Sequence, residues 1–318
     1  VIETLKPWLR AAKYNWLRYA AEYKARGYKS YEQTSNYPQA AFLIGCGRSG
    51  TTILGKVLSR HPDLCYLFEP YHLWAAIDPM TDVLNLYHRV NAYLLMDASN
   101  CTEKSRVLFH HLLLGTQHNS VPKVVIEKTP LNSMRIGYLN ALASGAKFIH
   151  IVRDGVDISY SIERIASMNS YKIAGKPMLN QWWGVSNYKW KALAQDGAAA
   201  GYYANEVERL EEHRCKGAYE WLVSLGEVDR WREQLGDRLH EITYEQLTAN
   251  PEAVLGNICK FLDIDSPRGW LEEAIGMIGP NSHLSGKTLK LPPMMCKDFN
   301  YYQERFAFTN RAIPEEDL

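Results

Sequence analysis

The stretch "FLIGCGRSGTT" at residues 42–52 constrains this chain more than any other. A continuous apolar run, residues 40–46, leads into a glycine-rich turn, and "TTILGKVLSRH" then continues with helical periodicity. Such a run reads as a strand buried on both faces. The turn reads as the entry to a helix whose first N–H groups have no partners within the helix, a natural seat for an anion. Nucleotide phosphate loops of the form G-x-x-x-x-G-K-[ST] combine that seat with a lysine that reaches the outer phosphates. Here Gly45 and Gly50 have the right separation and Thr52 fills the hydroxyl position. Thr51, however, stands where the lysine belongs, and a basic residue appears earlier, as Arg48. The loop either holds no phosphate or grips a different phosphate ester.

"DLCYLFE" (63–69) is strand-like and completes a strand–helix–strand unit with the glycine-rich turn at its first junction. Further strands are expected at 123–128, 146–153 and 239–244. Helices are expected at 155–166, 182–194, 205–224 and 251–262, the last opening at Pro251 after Asn250. The segment from Pro280 onward, rich in Pro, Asn and Lys, reads as irregular. The pattern predicts one α/β domain over 36–318, doubly wound about a central parallel sheet with helical insertions.

An amphipathic helix is expected ahead of it, within residues 1–35. Residues 1–30 hold seven Lys or Arg against two Glu, and Leu5, Trp8, Leu9, Ala12, Trp16, Leu17 and Ala20 recur at helical spacing. The expectation is that this apolar face docks on the domain and leaves a basic face in water, with contact to a membrane surface as the lesser reading.

Composition adds exclusions. At 318 residues, 46% hydrophobic and 22% charged, the chain can bury a sizeable core, and a formal charge of +1 does not call for a nucleic-acid partner. No run of eighteen apolar residues is present to span a bilayer. The six cysteines form no C-x-x-C pair, so zinc and thioredoxin signatures are missing and reduced thiols are expected. No metal is expected. A cytoplasmic location follows, with the Golgi lumen as the alternative if an anchor ahead of Val1 has been trimmed.

Within the turn, Gly47 and Gly50 let the backbone approach phosphate oxygens, Ser49, Thr51 and Thr52 add hydroxyls, and Arg48 offers a planar fork to an oxyanion. A second basic position lies in "IVRDGVDISYSI" (151–162), where Arg153 stands at the carboxyl tip of a predicted strand and Ser161 on the helix that follows. Ligands of open α/β sheets bind beyond the carboxyl ends of the strands. Arg48 and Arg153 would converge there as two anion sites, an arrangement suited to a nucleotide with phosphate at both ends.

At this point the chain resembles a family. "GCGRSGTT" followed by "IVRDGVDISYS" is similar to the paired loops of sulfotransferases that use 3′-phosphoadenosine 5′-phosphosulfate (PAPS). "RHPDLCYLFEP" (60–70), "EKTP" (127–130) and "ITYEQLTANPEAVL" (242–255) resemble further family segments, in family order across about 40–265. The resemblance implies a fold like that of the P-loop NTPases. It also implies PAPS as co-substrate, adenosine 3′,5′-bisphosphate (PAP) as product, and an acceptor hydroxyl on a carbohydrate or small molecule. It assigns Arg48, Ser49, Gly50, Thr51 and Thr52 to the 5′-phosphosulfate, Arg153 and Ser161 to the 3′-phosphate, and Tyr244 to the nucleotide pocket. Glu69 becomes the general base and Lys128 the lysine that serves the transition state. Ser285 and Lys287, in "NSHLSGKTLK" (281–290), match a late loop that closes over the nucleotide.

The phenol-type members use a histidine base and a first-loop lysine, which this chain replaces with Arg48, so His61 and His72 are read as secondary. His61 in "RHPD" is expected to cap or pack a helix end. "YLFEPYHLW" is closer to carbohydrate sulfotransferases, while "VRDGVDISYS" also suits tyrosylprotein and bacterial members. A P-loop kinase or NTPase and a non-catalytic nucleotide-binding domain are the competing readings. The missing lysine weighs against the first, the joint presence of Glu69 and Lys128 against the second. Trp182, Trp183 and Trp190 are read as core.

Overall fold

The computed structural model describes residues 2–26, 37–87, 91–115, 122–168, 179–279 and 287–315. Five strands form the central sheet: β1 (Gln39–Ile44), β2 (Leu64–Phe68), β3 (Val124–Lys128), β4 (Lys147–Val152) and β5 (Leu239–Thr243). All pair in parallel, in the order β2-β3-β1-β4-β5. Parallel neighbours require crossovers, and helices supply them on both faces.

The period-2 alternation of β1 divides the core. Ala41 and Leu43 face Leu54, Val57 and Leu58 of α2 (Thr51–Leu58), and Leu255 and Ile258 of the later helix Pro251–Leu262 share that layer. Phe42 and Ile44 face the opposite layer, with Trp74 of α3 (Tyr71–Ile77), Phe109, Leu139 and Val228. Because both faces are covered, β1 has no polar side, which is why its sequence is an unbroken apolar run. A third cluster joins α4 (Gly155–Ala166), through Val156, Ile158 and Ile162, to Trp221 and Leu222 of the long helix His213–Leu235.

The five expected strands and the helices at 155–166 and 251–262 appear within a residue or two of the expected bounds. Other elements differ. The helix expected at 182–194 runs instead from Tyr188 to Ala199. Asn180 accepts the N–H groups of Trp182 and Trp183 on its side-chain oxygen, both at 2.8 Å, and this turn keeps 182–187 out of a helix. The helix expected at 205–224 begins at His213 and continues to Leu235. The tail is not irregular throughout: Pro293–Arg305 is a helix entered through two prolines, with Pro293 at its first position, where the missing N–H costs nothing.

The N-terminal helix α1 (Ile2–Arg26) is present, but a different face of it docks. Ala21 is buried, Ala25 packs on the layer of Phe109, and Arg18 donates to the carbonyl of Tyr87 at 3.1 Å. Trp8, Leu9 and Trp16, expected at the interface with the domain, are exposed.

One close approach fixes where the first loop ends up. Tyr66 of β2 lies so tightly over α2 that a Cβ on Gly55 would stand 2.1 Å from its hydroxyl. Alanine is the better helix former by about 1 kcal/mol, yet Gly55→Ala is expected to lower the melting temperature, because overpacking costs about 1–3 kcal/mol. Adding Tyr66→Phe should recover little of the loss, because the ring carbons Cζ and Cε2 would still stand 2.3 and 2.6 Å from the added Cβ. Thermal unfolding of the single and double variants checks both expectations.

Candidate active site

Every strand of the sheet delivers a residue to one edge. The loop 45–50 leaves β1, Glu69 follows β2, Lys128 ends β3, Arg153 follows β4 and Tyr244 follows β5. The chain passes from β3 across β1 to β4, so the strand order reverses beside β1, the place beyond the strand ends where open α/β sheets take their ligands.

The first loop is held from within. Ser49 is fully buried; its hydroxyl donates to the Cys46 carbonyl at 2.6 Å and its N–H to the same oxygen at 3.2 Å. That hydroxyl shapes the turn and is not the free donor the sequence suggested. Arg48 and Gly50 both have positive φ, 76° and 98°. At Gly50 a side chain is excluded twice over, since a Cβ would also stand 2.4 Å from the Tyr244 ring. No side chain caps α2, so the N–H groups of its first turn stay open to an anion.

The lysine missing from this loop arrives from the neighbouring strand. Lys128, 1% exposed, donates to Thr52 Oγ1 at 3.1 Å and to Glu69 Oε1 at 2.5 Å, and its ammonium lies 4.7 Å from the centre of the Phe68 ring. Its neighbour Glu127 is buried as well, at 3% exposed, so the two do not form a surface pair. Glu69 has a φ of 44° and donates its N–H to the Lys128 carbonyl at 2.8 Å, so backbone and side chain tie the same two residues together. Its side chain remains 26% exposed and so open to solvent.

The second basic cluster adjoins the first loop. Arg48 Nε donates to Ser161 Oγ at 3.0 Å, linking the loop after β1 to the helix after β4. Arg153 lies 4.8 Å from the centre of the Tyr244 ring and pairs with Asp157 at 3.3 Å, while Asp154 caps α4 by accepting the N–H groups of Val156 and Asp157. Partial desolvation, then the like charges of Arg164 and Arg153, lower the pKa of Arg48. Arg164 therefore belongs to the positive cluster, although it is not among the candidate residues read from the sequence. Lys287 stands 5.6 Å from the centre of the Tyr160 ring, and Tyr160 donates its hydroxyl to the Thr288 carbonyl at 2.7 Å. These contacts bring the late segment to the residue before Ser161. Ser285 lies outside the described residues.

A family model described as "Sulfotransferase family" matches residues 39–268, the span that contains these strand tips. The chain belongs to the sulfotransferase family. An uncharacterized protein of Aquifex aeolicus is 20% identical over 237 residues, 70% of this chain and 25% of that protein. Carbohydrate sulfotransferase 7 of Rattus norvegicus is 37% identical over 49 residues, 15% of this chain and 10% of the relative. The chain thus spans a quarter or less of these curated relatives. Among solved structures, the sulfotransferase domain of the Synechococcus PCC 7002 olefin synthase aligns with a TM-score of 0.48 at 20% identity, over 88% of this chain and 99% of that domain.

Within this candidate site, two further residues escaped the sequence reading. Trp182 is not simply core: its ring edge lies against Gly47, where a Cβ would meet it at 2.4 Å. Its indole donates to Glu220 at 3.0 Å, and Glu220 is held in turn by the buried Lys189 at 2.7 and 2.8 Å. Only the fold brings residues 47, 182, 189 and 220 together. His61, by contrast, is structural as expected: buried, 2.9 Å from the Asp265 carbonyl and edge-on to Trp270.

Glu127 is the second. It points to the opposite face of the sheet from Lys128 and accepts from Trp74 Nε1 at 2.9 Å, Thr129 Oγ1 at 2.5 Å and Asn132 Nδ2 at 2.8 Å. It thereby sets the turn that follows Lys128. Burial outweighs these donors and pushes its pKa up to about 7. In the unfolded chain the group titrates near 4.5, so between the two values the folded state binds more protons and stability falls as pH rises. Gln at this position keeps an acceptor and, once the Asn132 amide is reversed, can donate to Asn132 Oδ1, a buried atom that has no hydrogen-bond partner beside Glu127. Urea unfolding from about pH 5 to about pH 8 should show the native protein losing stability relative to Glu127→Gln as pH rises.

Proposed function

We propose that this chain transfers the sulfuryl group of PAPS to a hydroxyl of a carbohydrate or small natural product, with Glu69 as general base. The observation that carries the reading is the Thr52–Lys128–Glu69 link, which joins the anion-binding loop, a cation and a carboxylate within hydrogen-bond distance. The uncapped start of α2 and the mutually repelling Arg48, Arg153 and Arg164 form two adjoining anion seats, a fit to a nucleotide phosphorylated at both ends. The 49-residue match to a carbohydrate sulfotransferase supports a sugar acceptor. So does the face of Phe68, 54% exposed beside Glu69, on which a ring can pack.

In this mechanism Glu69 takes the acceptor's hydroxyl proton as the oxygen attacks sulfur, which raises the nucleophilicity of an otherwise poor nucleophile. The acceptor O–S bond forms while the bond from sulfur to the 5′-phosphate oxygen breaks, and the electron pair stays on that oxygen. Lys128, held against Thr52, neutralises the negative charge as it grows there. In a loose transition state that charge is larger than in the ground state, so the contact lowers the barrier and does more than tighten binding. Arg153 and Ser161 hold the 3′-phosphate, and the Tyr244 ring, seated on Gly50 and Arg153, lines the nucleotide pocket.

Two measurements test this. Thermal-shift titration should show PAP raising the melting temperature well above the effect of ATP–Mg²⁺, because native-state ligands stabilise by mass action; equal or greater stabilisation by ATP–Mg²⁺ would favour the NTPase reading. Glu69→Gln should retain PAP binding while turnover with labelled PAPS, across a panel of sugar and phenol acceptors, falls by roughly 10²–10⁴-fold. Normal turnover in that variant would remove Glu69 as the base.

A further inference from the structure

The exposed side of α1 has not been accounted for. Trp8, Ala12, Trp16, Tyr19 and Tyr23 follow one another at steps of three or four, so they fall on one arc of the helix, with Leu9 at its margin. All six are exposed: Trp8 64%, Leu9 66%, Trp16 67%, Tyr19 60% and Tyr23 79%, with Ala12 alongside. The docked side, marked by Ala21, Ala25 and the Arg18–Tyr87 bond, lies across the helix from this arc. The helix is thus fixed to the domain by a side that carries Ala21, Ala25 and Arg18, with Tyr14 near Tyr87, while Trp8, Trp16, Tyr19 and Tyr23 point away. Contiguous apolar patches of this kind on a soluble surface mark interaction sites.

Charge identifies the partner. Residues 2–26 carry six Lys or Arg against two Glu, in a chain whose formal charge is only +1, so the helix is basic and the remainder is acidic. Exposed Lys13 and Lys24 border the aromatic arc. Protein interfaces are depleted of lysine, whereas the boundary between lipid headgroups and acyl chains takes up Trp and Tyr rings with lysine beside them. No described helix is long and apolar enough to cross a membrane, so α1 would lie along the surface and not span it.

We propose that α1 is a membrane-surface helix that seats the chain on anionic lipid through Trp8, Leu9, Trp16, Tyr19 and Tyr23, with its lysines against the headgroups. The acidic remainder of the chain is repelled by such a surface, so the helix orients the molecule as well as attaching it.

Flotation of the full chain with vesicles is the test, comparing phosphatidylcholine alone with phosphatidylcholine plus phosphatidylserine. Binding is expected only to the anionic vesicles, to weaken with salt, and to fall by at least roughly tenfold in Trp8→Ser/Trp16→Ser, whose two lost rings dominate the buried apolar area. Both positions are exposed, so the variant should fold, and an unchanged PAP-induced melting shift serves as its control. Absence of flotation with anionic vesicles, or flotation unaffected by the double substitution, overturns the proposal. If sedimentation shows a dimer that the same substitution dissociates, without vesicle binding, the face belongs to a second copy and the proposal is likewise overturned.

Discussion

A lysine buried to 1% exposure must be neutralised where it sits, since leaving one partner of a buried ion pair uncompensated costs roughly 3–5 kcal/mol. Lys128 meets that requirement by reaching across two strand ends, to Thr52 beyond β1 and Glu69 beyond β2. The interaction binds the anion loop, the middle of the sheet and the carboxylate into one unit. Phosphate loops of NTPases carry their lysine in the loop itself. Here the same charge is delivered from the adjacent strand, which frees the loop position for Thr51 and places the ammonium against the Glu69 carboxylate.

The buried carboxylate on the other face of β3 completes that unit. Glu127 and Lys128 are consecutive and point to opposite sides of the sheet, so one residue organises the turn from below while the next acts above it. The three donors around Glu127 come from α3 and from the 129–132 turn, which couples the position of Lys128 to packing that no ligand touches.

Backbone strain touches the same unit. Of the eight described residues other than glycine with positive φ, Arg48 and Glu69 stand beside it, and the other six lie elsewhere in the chain. Such conformations cost of order 1–3 kcal/mol and persist where surrounding contacts over-determine them. Ser49 and Cys46 supply those contacts for one, and the Glu69–Lys128 backbone bond supplies them for the other.

The sequence alone determined the sheet, because strands buried on both faces must be continuous apolar runs, and it determined the anion loop, because only a glycine tolerates the geometry at position 50. It also pointed to Arg153, since in a parallel sheet every strand ends at the same edge and local sequence shows where each strand ends, and the family resemblance added Glu69, Lys128, Ser161 and Tyr244. Tertiary structure alone decided what these residues do to one another. That Arg48 reaches Ser161 across 113 positions, that Arg164 joins the positive cluster, and that Trp182 rests on Gly47 depend on crossovers whose geometry no local pattern encodes. The face of α1 belongs with these: periodicity defines an apolar stripe, but which side of a helix is buried depends on the shape of the surface it meets, and here small Ala21 and Ala25 fit where Trp8 and Trp16 do not.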